Sequence, residues 1–278
     1  MNIVEKIFSY KKDKEFKTWR LFGIKIKKRY RRCNKSKPFP SDEINRQLSL
    51  QSLYSTHGRI FPQFKNINNG KDVVIVATGP TLAKYKSIKD AVHIGVNRAY
   101  QFDKIKLQYL FMLDGTATKS YIDEIDKLDD IVKFYGLNLF KEEYRPGVRI
   151  PEYHLKSKNS YRYYTYNYQN MELNTNLEVF PLYNSASIAF AAIHFALYTH
   201  PKRIFLVGCD SNSAPYWDGG GREQDYLVQA DKINNIMLDG YKKLKRFAQI
   251  CYPDVEIISI NPVGLKGLFK DVYTEDGE

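Results

Sequence analysis

The chain has 278 residues, 43% of them apolar, which is enough for one substantial core with small additions. Its three cysteines, Cys33, Cys209 and Cys251, exclude a disulfide framework or a cysteine-rich zinc site and point to a reducing compartment. The formal net charge of +12 invites a nucleic-acid reading, but residues 1–37 hold fourteen basic against three acidic residues, so the charge belongs to an extension on a near-neutral body.

That extension interleaves Lys and Arg with Ile7, Phe8, Tyr10, Phe16, Trp19, Leu21, Phe22, Ile24 and Ile26. Such a mixture suits an anionic membrane surface, where apolar groups enter the headgroup boundary and cations meet lipid phosphate. A solvated tail or an oligomer contact is the alternative. The run from Arg20 to Lys28 alternates like a strand, so a short hairpin is expected. Pro38, Pro40 and Ser41 read as a linker, dividing the chain into an extension, 1–40, and a body, 41–278. With no apolar leader core and no span of about 18 apolar residues, the expected location is cytoplasmic, peripheral to the inner membrane.

Val73-Val74-Ile75-Val76-Ala77 reads as a buried strand that stops at Thr78-Gly79-Pro80-Thr81, with a helical turn or two over 82–88. Further strands are expected at 93–97, ending on Asn97 and Arg98, at 109–113, ending at Asp114-Gly115, and at 131–135. The tyrosine-rich stretch 161–168 reads as a lid, an acceptor-binding insertion or an irregular packed loop. Asn184-Ser185-Ala186-Ser187 resembles a cap before an apolar helix over 188–198. A strong strand over 203–210 ends in Asp210, followed by a Gly-rich loop with Tyr216 that serves as a lid over 211–231, an amphipathic helix over 225–251 and a last strand over 255–260. Alternating strands and helices predict an α/β, doubly wound, mostly parallel sheet, which binds ligands beyond the strand C-termini.

The 78–81 loop stands where free backbone N–H groups and a helix dipole favour a phosphate. It lacks the lysine of a Walker A loop and the three-glycine dinucleotide spacing. Asn97, Asp114, Ser185 with Ser187, and Asp210 add polar groups at the same end of the sheet. Singly, each also reads as a turn former or helix cap.

The order Ala77-Thr78-Gly79-Pro80-Thr81-Leu82, then Gly95-Val96-Asn97-Arg98, then Asn184-Ser185-Ala186-Ser187, then Phe205-Leu206-Val207-Gly208-Cys209-Asp210 resembles the bacterial sialyltransferases of glycosyltransferase family 42. It is similar also to the motility-accessory-factor (Maf) proteins that glycosylate flagellin. The resemblance covers about residues 70–262, and Leu21-Phe22-Gly23-Ile24-Lys25-Ile26-Lys27 looks like the leader of lipopolysaccharide and capsule glycosyltransferases. It implies a Rossmann-like, GT-A-like, metal-independent enzyme that takes a CMP-activated nonulosonic acid such as CMP-sialic acid and passes it to a glycan. As family members often form tetramers, it also implies a homo-oligomer.

Carried over by motif, the donor contacts are Thr78, Gly79, Pro80, Thr81, Asn97, Arg98, Asp114, Ser185, Ala186 and Ser187, with Tyr216 or Tyr226 toward the leaving phosphate. The chain departs from the family in its lid, where Leu227-Val228-Gln229-Ala230-Asp231 holds no histidine base. Asp210, Asp225 or Asp231 would have to take the acceptor's proton, and a carboxylate does so only if burial raises its pKa. Two other readings share the fold. One is a Mg²⁺-dependent, pterin pyrophosphokinase-like diphosphotransferase with Asp114 and Asp210 on the metal; the other is a non-catalytic binding protein.

Overall fold

The computed structural model describes residues 8–12, 16–21, 24–29, 41–113, 115–139, 158–166, 172–212, 214–221 and 224–274. Asp114, the linker prolines Pro38 and Pro40, Asn167 and Tyr168 lie outside the described residues, as do the side chains of Asp225 and Tyr226. By contacts the chain divides into two units, Met1–Leu48 and Ser49–Glu278.

In the first unit, β1 (Phe8–Lys12), β2 (Phe16–Leu21) and β3 (Ile24–Arg29) form an antiparallel sheet. The hairpin expected from the alternation in 20–28 is the β2–β3 pair, in register from Phe16↔Arg29 to Leu21↔Ile24. Across the three strands Tyr10 pairs with Trp19 and Trp19 with Ile26, as Phe8 pairs with Leu21 and Leu21 with Ile24. Lys12 pairs in the same way with Lys17 and Lys17 with Lys28, and Arg20 with Lys25.

The second unit begins within α1 (Ser41–Ile60) and is built on an eight-stranded sheet. Its strands are β4 (Asp72–Val76), β5 (Val92–Val96), β6 (Tyr109–Met112), β7 (Val132–Leu139), β8 (Ser160–Tyr166), β9 (Arg203–Val207), β10 (Glu256–Ile260) and β11 (Lys270–Val272). Spatially they run β11-β10-β9-β4-β5-β6-β7-β8, and every neighbouring pair is parallel. The helices are α2 (Gly115–Asp126), α3 (Ala189–Tyr198), α4 (Gln224–Val228) and α5 (Ala230–Cys251). The single helix expected over 225–251 is thus two, meeting at Gln229. No helix among the described residues is long and apolar enough to cross a membrane.

Both sheet faces are buried, which is why the central strands read as continuous apolar runs. Val73 and Ile75 of β4, with Ile204 and Leu206 of β9, join the core formed with α3, all ten residues of which are buried. Val74, Val76, Phe205 and Val207 face the other core, with Leu82, Phe102 and Ile125.

The described part of the stretch 161–168 is edge strand β8 and not an irregular loop. Alternation sends Tyr163 and Thr165 inward and keeps aromatic residues where they fit a pleated surface. Tyr163 is fully buried against Phe111, with ring centroids 5.4 Å apart. The edge is covered by His57 of α1, whose Nε2 accepts the Tyr164 N–H at 2.8 Å, and by Leu182, whose N–H donates to the Tyr164 carbonyl at 2.8 Å. His57 Nδ1 faces the carbonyls of Leu177 (2.8 Å) and Phe180 (3.1 Å), so it carries the proton and the ring is neutral.

Candidate active site

Strand order reverses at one place. The chain moves outward from β4 through β5, β6, β7 and β8, then returns through α3 to lay β9 on the opposite edge of β4. The loops leaving β4 and β9 therefore diverge, opening the crevice in which doubly wound sheets bind ligands. A cavity of about 630 Å³ lies there. It gathers Thr78 and Gly79 from β4, Asn97 and Arg98 from β5, Asn184, Ala186 and Ser187 ahead of α3, Asp210 and Asn212 beyond β9, and Tyr216. Four segments scattered over more than a hundred residues thus meet in one place.

The floor is a backbone zipper. The Ala77 N–H donates to the Val207 carbonyl at 2.8 Å and the Gly79 N–H to the Gly208 carbonyl at 2.9 Å. Gly79 must be glycine: a Cβ there would lie 2.2 Å from Asp210 Oδ2 and 2.5 Å from the Gly208 carbonyl oxygen. The Asp210 carboxylate, 2% exposed, accepts the Thr81 N–H on Oδ2 at 3.0 Å and the Thr81 hydroxyl on Oδ1 at 2.6 Å.

This removes two of the three N–H groups that the 78–81 loop was expected to offer a phosphate. Gly79 has spent its N–H on Gly208, Pro80 has none, and Thr81 gives its own to Asp210. The helical turn or two expected over 82–88 is a five-residue 3₁₀ turn, Pro80–Lys84. A carboxylate of the protein holds the place expected for the ligand's anion. Pro80 and Thr81 accordingly do not line the cavity; they shape its floor. Asp210 reaches the cavity, but its contacts make it a brace for the loop, with both oxygens facing Thr81 donors.

Ser185 is a second correction. Its hydroxyl donates to the Ile236 carbonyl of α5 at 3.0 Å, and Gly240 opposite leaves no room for a Cβ, which would meet Ser185 Oγ at 2.4 Å. Ser185 fastens α5 to the segment that opens α3 and does not line the cavity. Its neighbours do: Asn184 is buried, Ala186 is left-handed at φ +61°, and Ser187 Oγ accepts the Ala189 N–H at 3.3 Å at the start of α3. The positive end of a buried ten-residue helix thus borders the cavity.

Asp231 stands exposed in the first turn of α5, away from the cavity. Cys209 and Tyr241, both unanticipated, line the site. Burial pushes the Cys209 thiol up to about 12 and the Tyr241 phenol well above its ordinary range, so neither accepts a proton at neutral pH. Among the described lining residues there is no histidine, and Asp210 is the one carboxylate.

The loop beyond β9 folds back over this floor. The Trp217 N–H donates to the Thr78 carbonyl at 3.2 Å, and its ring meets Phe102 edge-on at 5.2 Å. Tyr216 and Gly220 close a tight turn through a 2.9 Å bond. Arg98 Nη2 donates to Asp218 Oδ2 at 2.5 Å, tying the loop to the end of β5.

No family model matches the sequence, and no curated protein matches it. Among solved structures, the sialyltransferase CstII from Campylobacter jejuni, in complex with the substrate analogue CMP-3FNeuAc, aligns over 73% of this chain and 86% of its own. Identity is 14% and the TM-score 0.43. A structure of sialyltransferase CST-II with a trisaccharide acceptor and CMP aligns over 68% of this chain and 80% of its own, at 13% identity and a TM-score of 0.41. The parallel sheet and its switch point are established by the strand pairing itself.

Proposed function

We propose that this chain is a sialyltransferase-like glycosyltransferase. It binds a CMP-activated sugar, a nonulosonic acid, in the switch-point cavity and transfers the sugar to a lipopolysaccharide or capsule glycan. One observation carries the reading: the four segments on which the sequence resemblance rests converge on one cavity of nucleotide size, lined by polar and apolar groups in similar measure. In it, Asn97, Asn184 and Ser187 present amide and hydroxyl groups suited to a base and a ribose, while Arg98 supplies positive charge for a phosphate. The loop bearing Tyr216 covers the donor, and the acceptor enters beneath it.

The test is a melting series with CMP, CDP, UMP, UDP, GDP, ADP and ATP, each with and without EDTA. CMP at about a hundred times its dissociation constant stabilises the native state by about 2.7 kcal/mol and raises the melting temperature by about 5–10 °C. The rise is expected to survive EDTA. A Mg²⁺-dependent response to ATP alone would replace this reading with the diphosphotransferase one.

The first unit is proposed to hold the enzyme at an anionic inner-membrane surface, close to a lipid-linked acceptor. Lys12, Lys17 and Lys28 stand directly opposite one another across three strands. Like charges so placed repel, and anionic headgroups relieve the repulsion. Flotation of the full chain with phosphatidylserine vesicles is expected to be lost at high salt. The triple variant Lys12→Gln, Lys17→Gln, Lys28→Gln is expected to bind roughly 100-fold more weakly, at about 1 kcal/mol per lysine. Equal flotation with neutral vesicles would refute the proposal.

A further inference from the structure

With the Gly79 and Thr81 N–H groups committed within the protein and none on Pro80, the 78–81 loop offers a negatively charged ligand little, and its counter-charge has to come from a side chain. Among the described residues Arg98 is the one cation lining the cavity. It follows Asn97, whose left-handed backbone (φ +47°) turns the chain sharply at the end of β5.

The guanidinium is held on two of its three nitrogens. Nε donates to Gln101 Oε1 at 2.9 Å and Nη2 to Asp218 Oδ2 at 2.5 Å. Nη1 has no hydrogen-bond partner among the described residues and lies close under the covering loop, 3.7 Å from where a Cβ on Gly220 would stand. Asp218 is itself fixed: its Oδ1 accepts the Gly220 N–H at 3.0 Å, and that bond, with Arg98, keeps its carboxyl below the ordinary range and charged. Gln101 is fixed as well, donating to the Tyr100 hydroxyl at 3.2 Å.

We infer that Gln101 and Asp218 are positioning residues that hold Arg98 as a two-point fork and leave Nη1 to receive the donor's phosphate. This inference rests on the nucleotide reading of the cavity. An arginine fixed at two nitrogens gives up little rotamer freedom when it takes an anion on the third. Because Asp218 belongs to the loop and Arg98 to the floor, the fork forms only with the loop down. Phosphate binding and loop closure are therefore coupled through one side chain. The ion pair is partly exposed and by itself contributes little to stability.

The experiment compares binding of CMP and cytidine to the full chain by calorimetry, with amide exchange of residues 211–221 followed in parallel. In the wild type, CMP is expected to bind at least 10-fold more tightly than cytidine and to slow exchange in the loop. Arg98→Gln is expected to bring the two affinities together. Asp218→Asn and Gln101→Ala are expected to reduce the CMP preference 3- to 10-fold while leaving cytidine unchanged, and Asp218→Glu to restore most of it. A merely structural role would weaken both ligands equally, and that result, or a CMP preference untouched by Asp218→Asn, overturns the inference. UMP, GMP and AMP are run with their nucleosides as a further arm. If one of these pairs shows the Asp218 effect and CMP does not, the fork stands and the choice of CMP falls. If no nucleotide binds the wild type, both fall.

Discussion

Alanine at position 208 is expected to cost about 3–5 kcal/mol of stability and to abolish nucleotide binding. Gly208 is left-handed (φ +65°), and a Cβ there would lie 2.4 Å from the carbonyl oxygen of Ala77 and 3.0 Å from its carbon. Both are backbone atoms of the loop zipped to it, so neither can swing aside. Left-handed strain in a residue with a side chain costs about 1–3 kcal/mol, and forced overpacking a similar amount. Gly219 provides the control: it too is left-handed (φ +80°), but nothing lies within 4 Å of its would-be Cβ. Urea melts should show Gly208→Ala several times more damaging than Gly219→Ala. Equal losses would mean that the β4–β9 zipper does not set the geometry of the floor.

Stability is expected to fall steeply as pH drops from about 6.5 to 4. His57 and His194 are both buried, and burial lowers each from 6.5 to about 4. In His194, Nε2 donates to the Asn174 carbonyl at 2.7 Å and Nδ1 accepts the Tyr183 N–H at 3.0 Å, so a second proton would set donor against donor. His57 faces the same conflict at Tyr164. The folded state binds these protons less readily than the unfolded chain does. The stabilisation is therefore complete above the unfolded value of 6.5 and is lost as pH falls toward the folded value, by roughly 3 kcal/mol for each ring. His93 shifts in the same direction, also through burial. Melts between pH 7.5 and 4.5 should show the slope, and His57→Gln or His194→Gln should flatten it. An unchanged slope in both variants would assign the acid sensitivity to other groups. Tyr183 adjoins Asn184, which lines the cavity, so CMP affinity is expected to decline over the same range.

The central strands and the loops that leave them could be read from residue types alone, because a strand buried on both faces leaves an unbroken apolar run such as Val73-Val74-Ile75-Val76. The polar residues ending those runs fell where the sheet required. The commitments of individual groups could not be read. Nothing in Asp-plus-Thr composition says that Asp210 reaches back 129 positions to fill the donors of Thr81, or that Ser185 turns to α5 while Ser187 beside it faces the cavity. The tyrosines of β8 were misleading because an edge strand facing aromatic neighbours has few aliphatics, and the cover for its edge comes from His57, more than a hundred residues earlier. Asn184 stands five residues ahead of a fully buried, apolar helix and lines the cavity.

The zipper between residues 77–79 and 207–208 also sets when the protein becomes competent. β4 and β9 are direct neighbours in the sheet yet stand about 130 positions apart in the chain, with four other strands and two α-helices between them. A contact of that separation is slow to form, since the intervening loop must close first. During synthesis, the half of the chain ending at β8 can assemble its strands but owns only one wall of the crevice. The cavity is therefore completed in a single late event, the docking of β9. A bound nucleotide would act as a clasp on that seam, holding the sheet's last-closed joint shut.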